Sequence, residues 1–290
     1  MPDAAQADRL LAEAYAAGAS GCEERASGSA GKWLLLYAEA DRAEAVARAL
    51  DSVALDSEIG PPEPVSECDW AEGWREGLAA VVVSPRLVVR PPFVEHPVVP
   101  GQANVVIDPG QAFGTGGHES TRLALELLDR WLPRIGREPA VLDVGTGTGV
   151  LAIAAAKLGA GRAVGFDLDP VAAAAASQAA VANGVSAAVD LFVGGISALG
   201  PGQFDLGVAN LLRKEIEPIL PEVLDRIVAG GVGLFAGLLE ADRSVLAEAC
   251  ERRGWEIVDE ADRTDARGDV WIGLVARAAP IGPTGRALGR

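Results

Sequence analysis

The 290-residue sequence predicts an α/β protein. Its main body is a mostly parallel sheet covered by helices on both faces and finished by an antiparallel edge hairpin; a small α+β unit precedes it. Three observations carry this reading. From residue 140 onward, short apolar runs alternate with helical patterns, which implies parallel strands joined by crossover helices. The first run ends in a glycine-rich turn, Gly145-Thr146-Gly147-Thr148-Gly149, and the second ends in an acid, Asp167. Eight of the 18 prolines fall between Pro61 and Pro100. Proline fixes φ and removes an amide donor, so that stretch reads as linker and edge structure. The expected division is a small unit over 1–60, a linker over 61–100, a large domain over 101–278 and a loose tail over 279–290.

The elements follow in chain order. Leu10, Leu11, Ala14 and Tyr15 lie at helical spacing within 4–17. Short strands are expected near 21–26 and 52–58, and residues 32–38, Lys-Trp-Leu-Leu-Leu-Tyr-Ala, read as a buried strand. Asp41 is the expected N-cap of a helix over 42–50. The small unit carries no nucleophile–base set, metal spacing or glycine loop, so recognition or packing is its expected role. In the linker, Trp70 and Trp74 stand at i, i+4 and share a helix face. They either pin the linker to a domain or offer a platform to a substrate.

The large domain is expected to hold a helix over 122–132, with Ser120 or Thr121 as its N-cap. A strand over 140–144, a helix over 149–158 and a strand over 162–166 follow. An alanine-rich helix then runs from Pro170 to about Asn183. Pro170 suits the first helical position, Asp169 its N-cap, and Asn183-Gly184 its end. Further strands are expected near 188–193, 204–209 and 232–237. Residues 255–278 read as two strands around Asp265-Ala266-Arg267-Gly268-Asp269.

Charge and cysteine content narrow the function. Lys plus Arg is 25 and Asp plus Glu is 41, a net charge of −16. That surface repels phosphate backbones, so a nucleic-acid substrate is disfavoured. The acidity either favours a basic protein partner or serves solubility alone. Cys22, Cys68 and Cys250 stand far apart without a CxxC pair, which argues against a disulfide framework or zinc site and for buried thiols. The N-terminus lacks a basic leader, and no apolar run is long enough to span a bilayer. A cytoplasmic protein, without membrane attachment, is expected.

The glycine turn is the centre of the chemistry. Its GxGxG spacing differs from the GxGxxG of pyrophosphate-binding turns, and no Walker lysine follows. It suits a nucleoside without a phosphate bridge. Asp167, 22 residues after Gly145, can accept both hydroxyls of a ribose. A bland tight turn with a capping acid is the alternative. Asn210 stands at the expected carboxyl end of the strand over 204–209, where ligands of open parallel sheets sit, and its amide both donates and accepts. The segment from Ile107 to Thr121 combines four glycines, Phe113, His118 and several hydroxyls. It reads either as a plain flexible loop or as one folding over the nucleoside pocket. His118 invites a general-base role, although a lone loop histidine is more often structural.

At these residues the sequence resembles the ribosomal protein L-eleven methyltransferase family. The specific part is Asp-Pro-Gly-x-Ala-Phe-Gly-Thr-Gly-x-His-x-x-Thr, here residues 108–121. The Val-Leu-Asp-Val-Gly-Thr-Gly-Thr-Gly turn, Gly165 to Pro170, Asn183-Gly184-Val185 and Val208-Ala209-Asn210-Leu211 match in order. Gly117 stands where the family usually has Thr or His, and Ser120 replaces the first of two threonines. The resemblance implies a class I, Rossmann-like methyltransferase domain that binds S-adenosylmethionine and no metal. It implies cofactor contacts at Thr121, Gly145, Gly147, Asp167 and Asn210, with Phe113 in the covering loop. The substrate would be the large-subunit ribosomal protein eleven, recognised by the N-terminal domain of a monomeric enzyme, with Asn210 orienting the amine. Competing readings remain. One is methylation of another protein lysine or a small-molecule amine. Another is a non-catalytic S-adenosylmethionine-binding module, opposed by Asn210 and the complete loop. A third is an NAD-linked oxidoreductase, opposed by the GxGxG spacing. No DPPY-like or NPPY-like motif follows Val208, which argues against base modification.

Overall fold

The computed structural model describes residues 4–27, 31–51, 59–63, 78–97, 99–109, 114 and 116–278; over 4–9, 12, 23–27 and 31–34 it describes the backbone alone. The expected strand at 52–58, the Trp70–Trp74 pair, Cys68, Phe113 and the tail over 279–290 lie outside the described residues. The chain divides into two compact units, Met1–Gly77 and Leu78–Arg290.

The first unit contains α1 (Ala4–Ala17), β1 (Ala19–Ser27), β2 (Gly31–Ala38) and α2 (Ala43–Asp51). The strands pair antiparallel, with Cys22 opposite Leu36. Leu10, Ala14, Ala19, Val46 and Leu50 form its core. The amides of Arg42 and Ala43 bond to the carbonyl of Glu39, so α2 starts one residue later than Asp41 capping requires. Cys22 corrects a second expectation. It is exposed on the ribbon that β1 and β2 form among the described residues; Cys250 is buried as expected.

The second unit opens with a three-stranded sheet: β3 (Val81–Ser84), β4 (Leu87–Arg90) and β5 (Ala103–Val106). β3 and β4 turn back on each other around Pro85-Arg86, and β5 runs parallel to β4. Residues 81–90, read from their prolines as linker and edge, therefore form strands of this unit. Leu87, Val89 and Val105 join the core beneath the main sheet. Asn183 fastens β5 from the side. Its Nδ2 donates to the Val106 carbonyl at 2.6 Å, and its Oδ1 accepts from the Val106 amide at 2.8 Å.

The main sheet contains β6 (Ala140–Val144), β7 (Arg162–Asp167), β8 (Val189–Val193), β9 (Phe204–Asn210), β10 (Ile227–Leu239), β11 (Trp255–Thr264) and β12 (Val270–Ala278). Their order is β11-β12-β10-β9-β6-β7-β8. Pairings from β10 through β8 are parallel, whereas β12 is antiparallel to both β10 and β11. The closing hairpin sits at the edge as expected, but its antiparallel strand is the inner one. β11, the outer strand, points with the parallel set.

Helices cover both faces. On one side lie α3 (Glu119–Ile135), α4 (Val150–Lys157) and α5 (Pro170–Ala182); on the other lie α6 (Arg213–Arg226) and α7 (Arg243–Glu251). The alternation of β6 sorts its side chains. Val141 enters the first core, while Leu142 and Val144 enter the second. A strand buried on both faces is what a continuous apolar run requires. Each fully buried aliphatic chain contributes roughly 1.5–3 kcal/mol, so two such layers dominate the stability of this unit.

Candidate active site

β6 lies between β7 and β9. The chain leaves β6 for β7 on one side and later places β9 on the other. That reversal opens a crevice beyond the carboxyl ends of β6 and β9, the place where open α/β sheets bind ligands. Gly145 follows the end of β6, Asp167 ends β7 and Asn210 ends β9.

The turn leaving β6 has left-handed backbone at Gly145 (φ 69°), Gly147 (φ 55°) and Gly149 (φ 79°). A Cβ at Gly145 would stand 2.6 Å from Leu211 Cδ2, just past the end of β9. The left-handed backbone favours glycine there, and an added Cβ would also have to push the Leu211 side chain aside. The Thr146 amide donates to the Phe166 carbonyl at 2.9 Å, which carries the β6–β7 pairing into the turn. Asp167 then fastens the turn to β7. Its Oδ2 accepts from the Gly147 amide at 2.9 Å, and its Oδ1 accepts from the Asp169 amide at 3.0 Å. Each oxygen keeps a further lone pair for a ligand hydroxyl. Asp169 caps α5 through Val171, with Pro170 at the first position, as expected.

Asp143 lies beneath the turn and is fully buried. Its Oδ2 accepts from Thr146 Oγ1 at 2.7 Å and from the Ala152 amide at 3.1 Å, so one oxygen clamps the turn to the first turn of α4. Its Oδ1 has no partner among the described residues. Burial pushes this carboxyl up to about 6, against the two hydrogen bonds, and the nearby Asp167 charge adds to the rise.

The second half of the site is the contact between α3 and β9. Thr121, fully buried, accepts a hydrogen bond from Asn210 Nδ2 at 3.1 Å. Asn210 Oδ1 is buried and has no partner among the described residues. An orphaned acceptor at a strand end is costly unless a donor arrives to satisfy it.

α3 begins at Glu119 rather than near 122, and its N-cap is His118 rather than Ser120 or Thr121. The imidazole Nδ1 accepts from the Ser120 amide at 3.2 Å and lies 2.8 Å from Ser120 Oγ. A ring nitrogen two residues ahead of a free helical amide does what a capping hydroxyl does. The ring also stands edge-on to Trp271, 4.6 Å between centroids. The glycine loop is tied down at Gly114, whose carbonyl accepts from Thr148 Oγ1 at 2.7 Å. Sequence reasoning gave no role to Asp143, Thr146, Thr148 or Leu168. Leu168 is 77 % exposed beside Asp167, an apolar side chain left uncovered at the end of β7. Among the described residues no cluster of three His, Cys, Asp or Glu is placed to hold a metal, and no helix is long and apolar enough to cross a membrane.

A family model described as ribosomal protein L11 methyltransferase (PrmA) matches residues 21–278. A curated relative of that name from Pelobacter propionicus is 38% identical over 213 residues, 73% of this chain and 67% of its own. Another, from Symbiobacterium thermophilum, is 40% identical over 213 residues, 73% of this chain and 66% of its own. The matched segment thus spans about two thirds of these relatives' length. Among solved structures, ribosomal protein L11 methylase from Lactobacillus delbrueckii subsp. bulgaricus superposes with TM-score 0.60 at 31% identity, over 69% of this chain and 99% of that one.

Proposed function

The chain belongs to the ribosomal protein L11 methyltransferase family, and we propose that it transfers methyl groups from S-adenosylmethionine to amines of that ribosomal protein. The observation that carries the reading is the buried, unpartnered Oδ1 of Asn210 at the strand reversal, fixed by Thr121. A fixed acceptor there suits the N–H of an incoming amine, whose lone pair it would aim into the crevice.

The residues present fit the nucleoside end of the cofactor. The positive-φ glycines keep the turn bare for close approach. Asp167 retains acceptor capacity for ribose hydroxyls, and exposed Leu168 offers an apolar surface to a flat base. Gly147 and Gly145 hold the backbone, while Thr121 and Asn210 close the opposite side. Phe113 belongs to the loop that would cover the ligand. When bound, S-adenosylmethionine supplies an electrophilic sulfonium methyl group.

The substrate's amine must be neutral to attack the methyl group. A lysine with pKa near 10.4 costs about 4.6 kcal/mol to deprotonate at pH 7, and an α-amine near 7.8 costs about 1 kcal/mol. Desolvation in a closed pocket lowers an amine pKa by units, so burial and hydrogen bonding suffice without a strong base. His118 is committed to helix capping through Nδ1, which leaves the orienting role to Asn210. The N-terminal unit, with its own core, is assigned substrate recognition, and the chain acts as a cytoplasmic monomer.

Two measurements test this. Calorimetric titration should show saturable binding of S-adenosylmethionine and none of NAD. Incubation with methyl-labelled S-adenosylmethionine should move label onto purified L11 protein. NAD binding, or labelled cofactor consumed with L11 left unlabelled, would contradict the proposal.

A further inference from the structure

The hairpin of β11 and β12 lies at the edge of the sheet, yet its turn end stands beside the site. β12 runs against the parallel set, so it begins where β10 ends: Trp271 stands opposite Leu239, the last residue of β10. Across the hairpin, Trp271 is paired with Arg263. Both meet the start of α3. The Trp271 ring stands edge-on to His118, and Arg263 donates to Glu119 Oε2 at 3.2 Å and to Glu126. Farther along, a Cβ at Gly273 would stand 2.6 Å from Leu127 Cδ1, and Trp131 Nε1 donates to Asp259 at 2.8 Å. The hairpin thus braces α3 along its length.

Asp265 opens the hairpin turn, and both of its oxygens are engaged. Oδ1 accepts from the amides of Arg267 at 2.8 Å and Asp269 at 3.0 Å, which shapes the turn. Oδ2 reaches beyond the turn and accepts from Trp271 Nε1 at 3.1 Å. The indole bond holds this carboxyl below its usual range, against desolvation and with help from the turn amides, so it stays an ionised acceptor at neutral pH. Shaping a turn takes only the first oxygen. The second fixes an indole.

The indole in turn steadies a weak point. Thr121 is the third residue of α3, in the first turn, where amides lack intrahelical partners. Histidine is not a favoured cap, and His118 serves only while its Nδ1 faces the Ser120 amide. Trp271 stands against that ring. Thr121 then accepts from Asn210 Nδ2 at 3.1 Å.

We infer that Asp265 is a positioning residue for methyl transfer: through Trp271 and His118 it keeps the first turn of α3, and with it Thr121 and the Asn210 amide, in place. This rests on the methyl-transfer reading above, with Asn210 orienting the amine. A small misplacement of such a group is costly to the rate even when binding is preserved.

The test compares Asp265→Asn, Trp271→Phe and the double variant, with purified L11 protein as substrate. Asparagine keeps an acceptor for the turn amides but sets an N–H against the indole N–H. Phenylalanine keeps a ring beside His118 and lacks the donor. Each single variant should lower kcat about tenfold, the scale of one hydrogen bond to a charged group. KM for L11, S-adenosylmethionine affinity and Tm should stay near wild type. The double variant should be no slower than either single one, because all three cut the same link. Wild-type kcat in either single variant would overturn the inference. So would losses that multiply in the double variant, or a fall in Tm with kcat unchanged, the mark of a turn that only stabilises the fold. Should Asp265→Asn unfold the chain, Trp271→Phe carries the test alone. If the wild-type chain adds no methyl to L11, the methyl-transfer reading fails and the role of Asp265 falls with it.

Discussion

Asp143 and Asn210 each hold one buried oxygen without a partner among the described residues, yet they answer to different physics. Asn210 is neutral, and its unpartnered oxygen is the acceptor proposed above for the incoming amine. Asp143 is ionisable, and its folded carboxyl is pushed up to about 6 from a usual value near 3.8. A raised carboxyl pKa means that the folded state binds more protons between those values. Stability from this group is therefore greatest below about pH 4 and falls as pH rises toward about 6, by at most about 3 kcal/mol. Asp143→Asn removes that slope. Urea unfolding of both proteins should show the asparagine variant gaining relative stability from pH 4 to pH 6, then levelling. A constant difference across that range would contradict the assignment. The strand-end positions of Asp167 and Asn210 were legible in the sequence because each closes a short apolar run. Asp143 was not, since an acid inside a buried run shows its purpose only when Thr146 and Ala152 are seen to close on it. His118, read as more often structural than basic, caps α3, whereas the cap expected at Ser120 or Thr121 depended on where that helix begins.

Periodicity revealed the elements with long apolar stripes and missed those whose prolines speak louder. α6 carries Pro218 and Pro221 inside the helix, which hides it from a search for helix formers. Its buried face, Ile216, Leu220, Val223 and Leu224, nevertheless keeps helical spacing against the sheet. The strands β3 and β4 are four residues each and bounded by prolines, so linker was the natural reading. Their identity depends on burial of Leu87, Val88 and Val89, a tertiary fact. The end of β10 supplies a sharper test of packing. Gly237 has φ 81°, and an added Cβ would meet only backbone, the oxygen, carbon and nitrogen of Leu211 at 2.6–2.8 Å. Neither strand end has a flexible side chain to give way. Gly237→Ala should cost at least about 2 kcal/mol, some 4–8 °C in Tm. A variant that melts with wild type would show that β9 and β10 separate more easily than this geometry implies.

The two units have separate cores, one around Leu10, Ala14 and Leu50, the other the double layer on the main sheet. Every described residue assigned to the cofactor lies in the second unit. A fragment of residues 78–290 should therefore unfold cooperatively and bind S-adenosylmethionine as tightly as the whole chain, while losing most methylation of L11. Retained methylation would move substrate recognition out of the first unit. Charge acts on the same scale. With a net charge of −16, capture of a basic substrate should slow as salt rises, whereas cofactor affinity should barely change. The boundary near residue 77 was only loosely legible, because proline content marks an irregular stretch without saying which core its strands join. On the proposed function, methyl transfer takes place in the crevice at Asn210. Its most direct test is the intact mass of purified L11 after incubation with S-adenosylmethionine and either the wild-type chain or Asn210→Ala, with cofactor affinity measured in parallel. Wild type should give a ladder of added methyl groups, and Asn210→Ala initial rates at least about a hundredfold lower at saturating cofactor. Undiminished methylation by Asn210→Ala, with cofactor binding alone weakened, would contradict it.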